Sequence, residues 1–89
     1  MKVRIPTPLR KFTDGADEIA AHGGTIGEVL TGLCETYPDF KPRLFKDDGS
    51  LNRFVNVFVN EEDIRFLDDL KTPVKDGDDI SIIQAVAGG

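Results

Sequence analysis

A chain of 89 residues, 39% hydrophobic and 30% charged, is sized for one domain around a modest core and lies outside the disordered class. Its net charge of −5 repels a phosphate backbone, so nucleic acid is not an expected partner. No apolar run nears the ~20 residues that span a bilayer, and no apolar stretch of signal-peptide length follows Lys2 and Arg4, so we expect no membrane partner and a cytoplasmic location.

In residues 2–6, basic Lys2 and Arg4 alternate with apolar Val3 and Ile5, the pattern of a half-buried strand, which Pro6 and Pro8 close. Asp14-Gly15 signals a turn, after which residues 16–22 return as the second strand of a hairpin despite poor strand propensities. Thr25 stands three residues before Glu28, a capping box, and opens a helix over residues 25–37. Ile26, Val29, Leu30, Leu33, Cys34 and Tyr37 recur along it as one apolar stripe, and Pro38 ends it. Residues 40–45 fit a short helical turn and residues 46–50 a polar loop.

Residues 54–59 are the clearest strand. Their period of two sets Val55, Val57 and Val59 on one face and Phe54, Asn56 and Phe58 on the other. Asn60-Glu61-Glu62 turns the chain into a short strand at residues 63–66, and Leu67, Leu70 and Val74 anchor the loop beyond it. Asp76-Gly77-Asp78 then leads to a last strand at residues 79–85. A right-handed crossover through the helix places that strand beside the first one. The expected class is α+β: a β-grasp, ubiquitin-like mixed sheet of four to five strands with one main helix packed on one face, in a single domain covering residues 1–89.

The last strand runs into Ala85-Val86-Ala87-Gly88-Gly89, read as a flexible tail over residues 85–89. Two glycines without Cβ atoms make an end thin enough to enter a narrow channel in a partner and present the Gly89 carboxylate there. The alternative is a frayed terminus without a role.

Together, Val59-Asn60-Glu61-Glu62, the turn Lys75-Asp76-Gly77-Asp78-Asp79-Ile80 and Gly88-Gly89 resemble the MoaD/ThiS-type ubiquitin-like sulfur carriers. Arg53-Phe54-Val55-Asn56, Asp63-Ile64-Arg65-Phe66 and Ala85-Val86-Ala87-Gly88-Gly89 are most similar to the CysO branch, which supplies sulfide for cysteine synthesis. The resemblance implies that an E1-like adenylyltransferase of the MoeB/ThiF type uses ATP to activate Gly89, and that a sulfur donor converts the acyl-adenylate to a thiocarboxylate. It further implies a sulfur-acceptor enzyme, such as a cysteine synthase or a molybdopterin synthase large subunit; a thiazole synthase would use a similar tail. The carrier itself would be a protein cosubstrate with no catalytic residue and no bound cofactor or metal. A protein modifier joined to lysine through Gly89, or a plain interaction module, is the other class.

Other residues read more plainly. Cys34 lies on the apolar stripe and is assigned to the core; with one cysteine and one histidine, His22, neither a disulfide nor a four-ligand zinc set is available. His22 reads as a solvated turn residue, and Gly23-Gly24 as a turn and not a phosphate cradle, since no Lys and Ser/Thr pattern follows. The acidic pairs Asp47-Asp48, Glu61-Glu62, Asp68-Asp69 and Asp78-Asp79 read as solvated loops. If the valines of residues 54–59 face the helix, then Phe54, Asn56 and Phe58, joined by Ile83, form a partner-docking surface on the open side. In the alternative, the loop at residues 40–50 folds over the two rings.

Overall fold

The computed structural model describes residues 1–84, and these build a five-stranded sheet in the order β2-β1-β5-β3-β4. Strand β1 (Lys2–Arg4) pairs antiparallel with β2 (Glu18–Ala20) and parallel with β5 (Asp79–Gln84). On its other side β5 pairs antiparallel with β3 (Val55–Val59), which carries the two-residue strand β4 (Glu62–Asp63) at its edge. The long helix α1 (Ile26–Thr36) crosses one face, and this is the β-grasp arrangement.

Helix α1 begins where the sequence places it. The Thr25 hydroxyl accepts the Glu28 backbone N–H at 3.2 Å, and the Glu28 carboxylate reaches back to the N–H of Gly24 at 2.8 Å. Gly23 is needed just ahead: its φ of +156° is rare for a side-chain-bearing residue, and a Cβ there would sit 3.0 Å from both Cγ2 and the backbone nitrogen of Val29. Ile26, Val29, Leu30 and Leu33 are buried against Val55, Val57 and Val59 of β3, Ile80 and Ile82 of β5 and Val3 of β1. Cys34 and Tyr37 are half-buried at the edge of this core.

Several elements depart from the sequence reading. Between β1 and β2, where the sequence pattern shows only a connection, the chain forms a 3-10 helix, Thr7–Thr13. Pro8 sits in its first turn, Leu9 and Thr13 are buried, and Arg10 Nε donates to the Ile5 carbonyl at 3.0 Å. Asp14 and Gly15 then turn the chain at φ of 56° and 87°. The strand expected at residues 63–66 stops at Asp63, because the Asp63 carboxylate accepts the Arg65 backbone N–H at 2.9 Å and thereby caps a 3-10 turn, Ile64–Phe66. Val74 is buried and Leu70 half-buried as expected, whereas Leu67 is 41% exposed and anchors nothing. The segment after α1 does fold as helical turns, Pro38–Phe40 and α2 (Lys41–Leu44), which send Phe40 and Leu44 into the core. Ala85, expected to end the last strand, lies outside the described residues.

Candidate functional site: an open sheet face at the root of the C-terminal segment

The strand that delivers the C-terminal segment is held on both sides. β5 lies between β1 and β3, with Val55 paired to Gln84 at the end nearest that segment. Its other end is locked by the two loop motifs of the sequence. Asn60 and Glu61 both take left-handed backbone, at φ of 49° and 75°, to close the β3–β4 hairpin in two residues. Asn60 Nδ2 donates to Asp78 Oδ1 at 3.0 Å, its Oδ1 accepts the Asp79 N–H at 3.0 Å, and Asp78 Oδ2 accepts the Lys75 N–H at 2.9 Å. These bonds tie the hairpin to the turn that starts β5.

Two acidic residues are buried: Asp78, expected in a solvated loop, and Asp63, expected to begin a strand. Asp78 is fixed as above, and the Asn60 amide, then the Lys75 N–H, hold its carboxyl below the usual carboxylate range. Asp63 is paired with the Arg65 guanidinium at 2.7 Å, and hydrogen bonding from that side chain lowers its carboxyl against the opposing effect of burial. Polarity of turn sequence pointed outward; satisfied hydrogen bonds allow the carboxylates in.

On the face away from α1, Asn56 and Ile83 stand side by side across the β3–β5 ladder, and Phe58 pairs with Ser81. Phe54 is 43% exposed and Ile83 45%, with Asn56 and Phe58 half-buried between them. The loop of residues 40–50 does not cover these rings. Phe45 of that loop packs against the core and lines a hollow with Thr31, Cys34 and Glu35 of α1. Arg4, Asn60, Glu61, Asp79 and Ser81 border Phe58 and Ile83 in one shallow depression. One exposed aromatic has no signal in the sequence: Phe66, 85% exposed, at the end of the 3-10 turn that Asp63 caps. The strand assigned there concealed it.

The remaining candidates fall as follows. Burial pushes the Cys34 thiol above its ordinary value, against a weaker downward pull from the Lys41 ammonium, so its thiolate is scarce at neutral pH. His22 is exposed. The N–H of Gly24 is already taken by Glu28, which agrees with a turn. Ala85, Val86, Ala87, Gly88 and Gly89 lie outside the described residues. Among the described residues, no group of three or more His, Cys, Asp or Glu is placed to hold a metal, and no helix is long and apolar enough to cross a membrane.

A β-grasp sheet with an apolar open face beside the strand that leads to a diglycine defines a ubiquitin-like carrier class, and comparison with known proteins narrows it. The sequence model described as the ThiS family spans residues 3–89. The sulfur carrier protein CysO of Mycobacterium tuberculosis is 45% identical over 89 residues, which cover 98% of this chain and 96% of that protein. A chain of the Amycolatopsis orientalis BexX/CysO complex superimposes with a TM-score of 0.91 at 44% identity, over 99% of this chain and 98% of that one. The small archaeal modifier protein 1 of Methanosarcina acetivorans gives a TM-score of 0.86 at 32% identity, over 99% and 94%. The chain belongs to the ThiS family of ubiquitin-like sulfur carriers. Its CysO relatives carry the name sulfur carrier protein.

Proposed function

We propose that this protein carries sulfur on the carboxyl group of Gly89 and delivers it for the synthesis of cysteine. The observation that carries the reading is the similarity to CysO over nearly the whole chain, with the family match extending through Gly88-Gly89. The chemistry follows from the carboxylate. Its delocalised charge makes it a poor electrophile, so an E1-like activating enzyme of the MoeB/ThiF type joins it to the α-phosphate of ATP and releases pyrophosphate. A sulfur donor then adds sulfur at the carbonyl carbon, AMP leaves, and a thiocarboxylate remains. Its soft sulfur attacks an electrophilic carbon held in the acceptor enzyme, adding across an activated double bond there. Hydrolysis of the resulting thioester leaves the sulfur on the acceptor and returns the Gly89 carboxylate. The carrier contributes presentation: a thin segment for the channel and a rigid body for the rim.

The docking surface in this reading is Phe54, Asn56, Phe58 and Ile83, with Ala85, Val86, Ala87, Gly88 and Gly89 inserted into the partner. ATP belongs to the activating enzyme. The named BexX/CysO complex supports a sulfur-acceptor partner of the same general kind. A cysteine synthase is the acceptor we favour, with a molybdopterin synthase large subunit or a thiazole synthase as the alternatives within the family.

The test is mass spectrometry of the protein incubated with its activating enzyme, ATP and a sulfide donor. We expect a gain equal to the difference between sulfur and oxygen, confined to the peptide ending in Gly89. Gly88→Val, or one alanine added after Gly89, should abolish the gain; the added residue moves the reacting carbonyl by about 3.3 to 3.6 Å, beyond attack distance. Sulfur gain by the extended protein without trimming would remove Gly89 from the chemistry. Similarity to an archaeal modifier supports a second reading, in which Gly89 forms an isopeptide bond with lysine. Protein isolated from its native cell separates the two: a free thiocarboxylate supports the carrier, and lysine-linked conjugates support the modifier.

A further inference from the structure

The cations of this acidic chain are unevenly placed. Residues 1–13 and 41–46 hold seven of the 11 Lys and Arg residues and none of the 16 Asp and Glu residues. The other four cations, Arg53, Arg65, Lys71 and Lys75, are scattered among all the acids, a remainder of net −12. The fold brings the two basic segments together. The Phe12 ring of the first 3-10 helix meets Phe40 edge-on at 5.9 Å, and two cations gather at Phe12: Lys11 Nζ 5.3 Å and Arg43 Cζ 5.5 Å from the ring centroid. Lys11, Lys41, Arg43 and Lys46 are exposed. Asp39 and Asp47 adjoin them in sequence, yet the ion pairs among the described residues are Arg4 with Glu18 and Arg65 with Asp63, neither in this corner.

Topology places the corner. β1 runs parallel to β5, so the helix that follows β1 lies at the end of the sheet where β5 finishes; β3 runs antiparallel, so α2 and the loop that precede it lie at that same end. The basic corner thus lies at the end of the sheet where Gln84, the last described residue, stands.

We propose that the Lys11–Arg43 corner is a docking site for an acidic surface beside the channel of the activating enzyme, steering the C-terminal segment into it. This rests on the carrier reading above. A protein surface is the occupant the charge pattern favours, because a local acidic patch can meet the corner while the net −12 remainder would repel an extended polyanion such as nucleic acid. Cations held at a ring keep little rotamer freedom to lose on binding, which suits a fixed contact.

Stopped-flow association of the intact protein with its activating enzyme tests this at low and at physiological salt. Lys11→Glu with Arg43→Glu should slow association about tenfold or more at low salt and flatten its salt dependence, and the glutamine pair should fall between. Lys71→Glu with Lys75→Glu, on the segment leading into the opposite end of β5, changes net charge equally and should leave the rate near wild type. Equal slowing by both pairs, or none by the first in protein that melts like wild type, overturns the proposal. So does tighter binding of duplex DNA than of the enzyme at physiological salt. Binding is read without sulfur transfer: if wild type binds with this charge dependence but never gains sulfur, the carrier reading fails and the docking site stands.

Discussion

The two faces of one sheet have opposite characters, although the same two strands supply most of both. Toward α1, Val55, Val57, Val59, Ile80 and Ile82 are all buried; away from it, Phe54, Asn56, Phe58, Ser81 and Ile83 stay half-buried or exposed. Strand periodicity forces this alternation, but it does not say which face is covered. That choice comes from α1, whose capping box and apolar stripe commit it to the β-branched side, the better filling for a close-packed layer. The rings are left where a partner can reach them. Substitutions on the two sides should therefore separate the stability of the fold from the docking proposed for the open face.

The largest effect is expected on the covered side. Leu33→Ala, in the last full turn of α1, should cost about 2 to 5 kcal/mol, a large part of the total for a domain of this size. Urea unfolding followed by circular dichroism reads the loss; a midpoint equal to wild type would show that the stripe does not form the core.

An intermediate effect is expected where the hairpin meets the β5 turn. Asn60→Ala removes the bonds to the Asp79 N–H and to Asp78 Oδ1 and puts alanine at φ of 49°, so a loss of about 1 to 3 kcal/mol should follow. The same junction has a pH signature. Asp63 and Asp78 are held below their ordinary carboxyl values, so their contributions are fully present above the unfolded value of about 3.9 and are lost as pH falls through the folded ones. The urea midpoint should drop in acid below about pH 4, and Asp78→Asn should flatten part of that drop. A midpoint independent of pH down to 2 would contradict the pairing.

Much of this was legible in the chain because local and global signals agree. The Thr25–Glu28 box, the apolar stripe and the alternation at residues 54–59 each require only neighbours in sequence to act. The missed features depend on signals with two readings or on bonds that only the fold brings together. Thr7–Thr13 carries a proline in its first turn and Leu9 spaced from Phe12 and Thr13, a helical signal hidden by the two prolines that also close a strand. Asp63 reads as a strand residue until its carboxylate is seen to cap the next turn, and Asp78 reads as solvated until Asn60 reaches it from 18 residues away. Among candidate site residues, Phe54, Asn56, Phe58 and Ile83 could be grouped from period alone, since register β3–β5 sets Asn56 against Ile83. Phe66 could not, because its exposure follows from the break in the strand.

The smallest effect on folding is expected on the open side, and it is the most discriminating. Ile83 is 45% exposed, so Ile83→Ser removes apolar surface that water already reaches and should change stability by about 1 kcal/mol or less. Phe58→Ala removes a larger, half-buried ring and should cost more, which is why the two belong in one experiment. If this face docks the activating enzyme, both variants should weaken binding, and Ile83→Ser should do so with its unfolding curve almost unchanged. Truncating an exposed anchor at a well-packed interface centre costs about 1 to 2 kcal/mol or more of affinity, a five- to thirtyfold rise in Kd at the lower end of that scale. Calorimetric titration of each folded variant with the enzyme gives the comparison. Unchanged affinity for Ile83→Ser, together with a Phe58→Ala loss fully accounted for by unfolding, would mean that the rings only trim the sheet and that docking lies elsewhere on the surface.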